Sequence, residues 1–241
     1  MNTIRGMMAV VAAAGLFLGL VGQAFAYDAG EVKDGGTISG TVKFAGTPPA
    51  RKTIEVAKDK EVCAKEKHLS ADLIVGPDKG IENVVVSLVD VKKGKKWAST
   101  KATLDQKGCV YTPHVVVVPA GGELDILNSD GILHNIHTYS KANPSINKAQ
   151  PKFKKVLTEK FSKPEVIKVA CDAHAWMSGW IVVSAHPYVA VTNEKGTFTI
   201  KDVPPGTYKL EVWHETLGKS MKDVTVKSKV ETKLAIELAK K

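Results

Sequence analysis

Residues 166–184 read VIKVACDAHAWMSGWIVVS and contain the most informative pattern in the chain. Apolar residues dominate both ends of this stretch, which predicts one strand from Val166 and another from Gly179. Between them, Cys171, His174 and Met177 follow one another at intervals of three residues. The stretch therefore predicts two strands joined by a short loop that carries a thiol, an imidazole and a thioether.

Short strand patterns separated by turn residues fill most of the remaining chain. Alternating apolar residues predict a strand in TISGTVKF, residues 37–44, and turn residues occur at 193–196 and 204–206. Short strands at this spacing are typical of β-sandwiches rather than of alternating strand–helix units. The predicted fold class is therefore all-β. Residues 140–157 have the least regular pattern and are predicted to contain a long loop.

The first 26 residues have the pattern of a secretory signal peptide. Arg5 precedes an uncharged apolar run, and Ala24-Phe25-Ala26 is typical of a cleavage site. No apolar run suits a membrane span of about 20 residues, so we expect no integral membrane segment after cleavage. We expect a periplasmic or secreted protein. Export, and the lack of a glycine-rich phosphate loop, argue against cytosolic metabolism that depends on ATP or NAD(P)H.

The chain is basic, and its charge is uneven. It has 241 residues, a formal net charge of +9 and 44% hydrophobic residues, a composition typical of a folded protein. Eight lysines and two glutamates lie between Lys141 and Lys168. An exported chain rarely meets nucleic acid, so we predict no nucleic-acid ligand. These lysines are either a solvated surface or a region that attracts an acidic protein partner.

A histidine-containing strand supplies further candidate ligands. The run Leu133-His134-Asn135-Ile136-His137 precedes the cysteine loop. One thiolate, two imidazoles and one thioether are the donors of a type 1 copper site, in which the weak axial sulfur helps to set the potential. His134 is the better candidate, because His137 lies an odd number of residues along the strand and points to the opposite face. The alternatives are a buried structural thiol at Cys171 and a core methionine at Met177.

Together the two motifs resemble the cupredoxin family of blue copper electron-transfer proteins. The loop from Cys171 to Met177 has the short C-x2-H-x2-M spacing of amicyanin, and the His134-Asn135-Ile136 run is similar to the segment that holds the first copper histidine. The resemblance implies a Greek-key β-sandwich and one copper ion. It implies that Asn135 joins the two ligand segments by hydrogen bonds. The ligands implied are His134, Cys171, His174 and Met177.

The C-terminal part resembles a second β-sandwich family. TNEKGTFTIKDVPPGTYKLEVW, residues 192–213, is similar to carboxypeptidase regulatory-like, transthyretin-like modules. We therefore predict a copper domain at residues 27–185 and a small β-sandwich at 186–241. Residues 36–50 resemble the first strand of such a module, and their pairing with the tail would make the copper domain an insertion. The whole chain also resembles exported bacterial proteins described as methylamine-utilisation or plastocyanin-like.

The resemblance implies a single-copper electron carrier and not an enzyme, since four protein ligands leave no open position for a substrate. Electrons are expected to leave through the His174 imidazole edge, at a surface formed by Ala173, Ala175 and Trp176. The expected partner is a redox protein, such as a c-type cytochrome with an acidic surface. The alternative function is copper binding or delivery without redox turnover. Only Met177 and Met221 follow the signal, and this scarcity of methionine disfavours delivery.

The remaining cysteines and histidines have simpler interpretations. Cys63 and Cys109 are predicted to form a disulfide in an exported protein, with additional metal ligation as the less favoured alternative. His186 and His214 are interpreted as structural, and a second metal site formed by the pair is the alternative. Two histidines without a third ligand are weak evidence for such a site.

Overall fold

The computed structural model describes residues 27–240, which are nearly all β. The predicted all-β class is confirmed, whereas the predicted signal peptide, residues 1–26, lies outside the described residues. No helix within residues 27–240 is long and apolar enough to span a bilayer. The elements are β1 (Asp28–Gly30), β2 (Gly36–Phe44), α1 (Lys60–Cys63), β3 (Val85–Val89), β4 (Lys93–Lys95), β5 (Lys101–Lys107), β6 (Val110–Thr112), β7 (Val115–Pro119), β8 (Glu123–Asn128), β9 (His134–Thr138), β10 (Asn147–Gln150), β11 (Val156–Lys160), β12 (Glu165–Ala170), β13 (Ser178–Ser184), β14 (Val189–Val191), β15 (Thr197–Val203), β16 (Gly206–His214), β17 (Gly218–Val226) and β18 (Glu231–Leu238).

Strands from both ends of the described chain form one β-sandwich, here called the terminal sandwich. Its two sheets have the orders β15-β2-β18 and β14-β3-β16-β17. Strand β2 pairs antiparallel with β15 and parallel with β18, so the first long strand lies between two strands of the tail. Apolar side chains of both sheets meet in one core, which includes Ile38, Val42, Leu88, Leu210 and Ile236.

Residues 101–184 form the second sandwich, here called the inserted sandwich. Its sheets have the orders β10-β9-β12-β13-β7 and β11-β8-β5-β6. Burial alternates along β8, where Leu124, Ile126 and Asn128 face inward, as the period of two along a strand requires. Strand β7 pairs with β13 in the first sheet, whereas β8, the next strand of the chain, pairs with β5 in the second. The connection from β7 to β8 therefore passes between the sheets, as in a Greek-key sandwich.

The structure divides the chain differently from the predicted boundaries of 27–185 and 186–241. Residues 36–44 pair with the tail, and so does β3, which belongs to the terminal sandwich through its register with β16. The inserted sandwich therefore interrupts the terminal one. This is the alternative in which residues 36–50 pair with the tail, and the sequence left it open because a strand pattern specifies which face is buried but not which strand it will pair with. Residues 140–157, predicted as a long loop, contain the edge strand β10.

An apolar junction joins the two sandwiches. Val85 of the terminal sandwich packs with Val115 and Val182 of the inserted one. Trp180 and Trp213 meet edge to face across this junction, with ring centroids 4.9 Å apart. At its rim, His114 Nε2 lies against a Glu215 carboxylate oxygen.

Close packing at Gly40 tests the pairing of β2 with the tail. A Cβ atom at this position would lie 2.3 Å from the Leu234 carbonyl oxygen and 2.9 Å from the Phe198 ring. We expect Gly40→Val to lower the free energy of unfolding by about 1–3 kcal/mol, because strands or side chains must shift to admit it. Urea denaturation measures this. Thr41→Val in the same strand is the control, and an unaltered midpoint for Gly40→Val would contradict this strand arrangement.

Candidate metal centre

The predicted ligands come from two adjacent strand ends of one sheet. His134 is the first residue of β9, and the loop between β12 and β13 carries the other three candidates. Strands β9 and β12 pair through Val169 with Thr138 and Ala170 with His137. This pairing places the start of β9 beside the loop that follows β12.

Backbone hydrogen bonds close the loop into a tight turn. The Cys171 N–H donates to the Met177 carbonyl at 3.2 Å, and the Met177 N–H donates to the His174 carbonyl at 2.9 Å. The spacing of three residues between successive candidates therefore corresponds to one compact turn.

Three donor atoms converge in the interior of the inserted sandwich. The Nδ1 atoms of His134 and His174 are 3.0 Å apart. Cys171 Sγ lies 3.9 Å from His134 Nδ1 and 3.7 Å from His174 Nδ1. All three side chains are buried, with at most 1% of their surface exposed. Bonds of about 2.0–2.3 Å to one shared ion place nitrogen and sulfur donors about 3–4 Å apart, so this arrangement fits a metal.

Met177 is buried in the same apolar core as Cys171, with 1% of its surface exposed. The backbone bonds of the loop join Met177 to Cys171 and His174. Its thioether is the third candidate donor carried by this turn, and it is a weak ligand of the kind found in axial positions.

Asn135 connects the two ligand segments, as the resemblance implies. Its Oδ1 accepts hydrogen bonds from the backbone N–H groups of Asp172 and Ala173, at 2.6 and 3.3 Å. Its Nδ2 donates to Asn147 Oδ1 at 2.8 Å. The cysteine loop is thereby fixed to β9 immediately beside His134.

His137 lies on the other face of β9 and takes no part in the donor cluster. Its Nδ1 is 3.0 Å from Asp172 Oδ1, and its ring stacks on Tyr139 with centroids 4.5 Å apart. The odd spacing from His134 produces this opposite orientation.

Two carboxylates that sequence reasoning did not assign contact the outer nitrogens of the imidazoles. Asp130 Oδ2 is 2.9 Å from His134 Nε2, and Asp59 Oδ2 is 2.8 Å from His174 Nε2. The spacing of four residues between Asp130 and His134 is a usable local signal. Asp59 is 115 residues from His174, and no pattern in the sequence links the two.

The expectation that the His174 edge reaches the surface is wrong. The His174 side chain is fully buried. Asp59 covers its Nε2 atom, and Trp176 packs against the ring with centroids 5.1 Å apart. The segment before α1 approaches the ligand loop from outside the inserted sandwich, which the ligand motif alone does not reveal.

The structure contains the predicted disulfide between Cys63 and Cys109, with Cα atoms 5.3 Å apart, and leaves Cys171 as a free buried thiol. The bridge fastens α1 to the inserted sandwich. The Trp176 indole N–H donates to the Cys109 carbonyl at 3.1 Å, and His68 Nε2 lies 2.6 Å from the Cys63 carbonyl. The bridge therefore sits beside the ligand loop, and its cysteines are not available as ligands.

His186 and His214 do not form the second metal site that was considered. Neither belongs to any group of three or more potential metal ligands within residues 27–240. His186 Nδ1 accepts the Tyr188 N–H, and His214 Nδ1 accepts the Thr216 N–H. Burial lowers the pKa of both imidazoles. Each histidine therefore serves its own segment as a buried, locally bonded side chain.

Burial and hydrogen bonds shift the pKa values of the three donor side chains. Burial lowers the pKa of His134, but hydrogen bonds to Asp130 and Cys171 outweigh it and raise that pKa to about 9. Burial raises the pKa of the Cys171 thiol, and its bonds to His134 and the backbone outweigh this and lower it. Burial lowers the pKa of His174. Without a bound ion, the site favours an imidazolium at His134 beside the cysteine sulfur.

One family model matches part of the chain. It is described as domain II of polysaccharide lyase family 4 and matches residues 163–234. The match runs from the end of the inserted sandwich into the terminal one and covers well under half of the chain. It names a different β-sandwich family from the carboxypeptidase regulatory-like one predicted for the tail. No curated protein sequence matches the chain.

Several solved structures are similar to part of the chain. A purple cupredoxin from Nitrosopumilus maritimus is 22% identical, with a TM-score of 0.30, over 34% of this chain and 99% of that one. An oxidised amicyanin variant is 20% identical, with a TM-score of 0.33, over 37% of this chain and 87% of that one. A copper-containing nitrite reductase from Thermus scotoductus is 22% identical, with a TM-score of 0.31, over 37% of this chain and 24% of that one.

The raised pKa of His134 predicts a pH-dependent metal affinity. A ligating imidazole must be deprotonated, so a metal ion must displace the His134 proton whenever the pH is below about 9. For one displaced proton, we expect the apparent affinity to fall about tenfold for each pH unit below that value and to level off above it. Competition with a chelator of known pH dependence measures this. Asp130→Asn should lower the pKa of His134, so the affinity should begin to fall at a lower pH. An affinity independent of pH from about 6 to 9 would contradict the assignment.

Proposed function

We propose that this protein is an exported carrier of single electrons, with one type 1 copper ion held by His134, Cys171, His174 and Met177. The observation that carries the proposal is the convergence of two imidazole nitrogens and one cysteine sulfur, all within 4.8 Å of one another and all buried. Copper bound by such donors exchanges one electron between its +1 and +2 states.

The rigidity of the ligand residues supports a carrier rather than an enzyme. Asn135 fixes the cysteine loop to β9, and backbone bonds inside the loop fix Cys171 and Met177 relative to His174. Donors held this firmly keep their positions in both oxidation states, which reduces the rearrangement that accompanies electron transfer. The burial of the cluster also leaves no access for a substrate to bind at the ion.

Copper delivery without redox turnover is the runner-up. Delivery requires a site from which the ion can be handed to another protein, and such sites are exposed. The full burial of His134 and His174 disfavours this role. Export is supported by the Cys63–Cys109 disulfide, because structural disulfides persist in oxidising compartments such as the periplasm.

The ligand assignment predicts the behaviour of two matched variants. Cys171→Ser removes the only free thiol within residues 27–240 and should abolish the thiolate-to-copper absorption of the oxidised protein. His137→Ala is the control, since this histidine lies on the same strand as His134 but outside the donor cluster, and it should retain the band. Visible spectroscopy and copper content measure the outcome. A band that survives Cys171→Ser would refute the assignment, and copper binding without any such band would favour delivery.

We further propose that the redox partner is an acidic protein, such as a c-type cytochrome, that docks near the start of β9. Lys152, Lys154 and Lys155 are exposed in the loop between β10 and β11. The Asn128 N–H donates to the Lys155 carbonyl, and Gln150 is in register with His134, so this loop lies at the ligand end of the sandwich. Leu133 and Phe153 add exposed apolar surface there, with 48% and 84% exposure.

Charge reversal of these three lysines tests the docking site. We expect Lys→Glu at all three positions to slow the reaction with an acidic c-type cytochrome about tenfold or more at low salt, with a flatter salt dependence and an unaltered copper spectrum. The difference should shrink near 0.1 M salt, where the Debye length is about 10 Å. The control reverses Lys222, Lys227 and Lys240 on the terminal sandwich. Equal rates for both triple variants, measured by stopped flow, would remove the docking role.

A further inference from the structure

Asp59 covers one edge of the donor cluster. It precedes α1, and its Oδ2 atom lies 2.8 Å from His174 Nε2. The His174 side chain is fully buried, whereas the Asp59 side chain is 30% exposed. The only charged group that meets His174 Nε2 within the described residues therefore lies between this imidazole and the solvent.

The second imidazole is held in the same way from a different segment. Asp130 Oδ2 lies 2.9 Å from His134 Nε2. The Asp130 carboxylate also accepts the backbone N–H groups of Gly108 and Cys109, at 2.6 and 2.8 Å. These two backbone bonds fix the carboxylate in front of the histidine.

The Cys63–Cys109 disulfide links the two carboxylate segments. On one side, the Cys63 N–H donates to the Asp59 carbonyl at 2.8 Å, across the single turn of α1. On the other side, the Cys109 N–H donates to Asp130. Through Cys63 and Cys109, the disulfide thus connects Asp59, which contacts His174, with Asp130, which contacts His134. The Trp176 indole N–H donates to the Cys109 carbonyl.

A carboxylate on the outer nitrogen of an imidazole has a definite chemical effect. It holds the proton on Nε2, leaves the lone pair of Nδ1 free for a metal, fixes the plane of the ring and makes the imidazole more basic. Both Nδ1 atoms point into the donor cluster, and both Nε2 atoms point at carboxylates. The two rings are therefore oriented as metal-ligating histidines are, with Nδ1 toward the cluster and Nε2 toward a carboxylate.

We propose that Asp59 is a positioning residue for His174, and that the Asp59–Cys63 segment, fastened by the Cys63–Cys109 disulfide, is a fixed cover over the copper site. The bound copper in this proposal rests on the proposed function, whereas the contact between Asp59 and His174 does not. Asp59 orients His174, and its negative charge stabilises the more positive oxidation state of the ion. The cover keeps solvent and chelators away from His174.

Purely structural anchoring of α1 by Asp59 gives a different expectation. An anchor would affect the stability of the fold but not the potential or the metal affinity of the folded protein. Asp59→Asn keeps the size of the side chain and a hydrogen-bonding oxygen, but it removes the charge. Glu61→Gln removes a charge from the exposed side of the same turn, without a contact to His174, and is the matched control.

The experiment measures the reduction potential and copper affinity of the full-length mature protein and its variants. We expect Asp59→Asn to raise the potential and weaken Cu(II) affinity by about 10- to 100-fold, as is usual when the outer partner of a ligating histidine is lost. Glu61→Gln should change neither, and Asp59→Glu should recover part of the loss. An unchanged potential and affinity in a folded Asp59→Asn variant would overturn the positioning role.

The cover is tested by the rate at which EDTA removes Cu(II). Both Asp59→Ala and the double variant Cys63→Ala/Cys109→Ala should lose copper several-fold faster than the parent, and Glu61→Gln should not. Equal rates for all four proteins would overturn the cover.

A metal-free measurement separates this proposal from the proposed function. Nitrogen-15 NMR of the histidine rings should show a proton on His174 Nε2 that exchanges slowly with water in the parent and rapidly in Asp59→Ala. A His174 ring protonated only on Nδ1 would overturn the positioning role. If this signal is present but copper gives no thiolate band, the electron-carrier proposal fails and the Asp59 contact stands.

Discussion

The pairing of β9 with β12 is the constraint on which the site depends. Only two residue pairs join these strands, Val169 with Thr138 and Ala170 with His137, yet they place the start of one strand beside the loop after the other. A shift by one residue would turn His134 to the outer face and bring His137 inward, because side chains alternate along a strand. The hydrogen bonds that Asn135 Oδ1 accepts from the backbone N–H groups of the cysteine loop oppose such a shift.

The donor cluster is stabilised from outside as well as from within. Buried imidazoles and a thiol of lowered pKa are costly unless their polar atoms have partners. Asp130 and Asp59 supply partners for the two Nε2 atoms, and the disulfide holds the segments that carry these carboxylates. The three donor atoms therefore converge inside the sandwich, and the two Nε2 atoms have carboxylate partners at its edge.

The terminal sandwich supports the site by closing the chain around the insertion. Strand β2 lies between β15 and β18, so the segment that carries Asp59 starts from a strand fixed on both sides. The apolar junction of Val85, Val115 and Val182, with the Trp180–Trp213 contact, restricts movement between the sandwiches. The segment that carries Asp59 thus runs from the terminal sandwich to the inserted one.

The sequence by itself determined the all-β class, the ligand loop, the choice of His134 over His137 and the disulfide, because each follows from local spacing or from the chemistry of residue types. Residues 166–184, with two strands around a tight turn, needed no distant information. Only the tertiary structure decided that β2 and β3 join the tail, that β10 forms within an irregular segment, and that Asp59 covers His174. These features depend on contacts between residues far apart in the chain, up to 115 positions for Asp59 and His174. A strand pattern records which side chains are buried, but the choice of neighbouring strand depends on the packing of the whole chain.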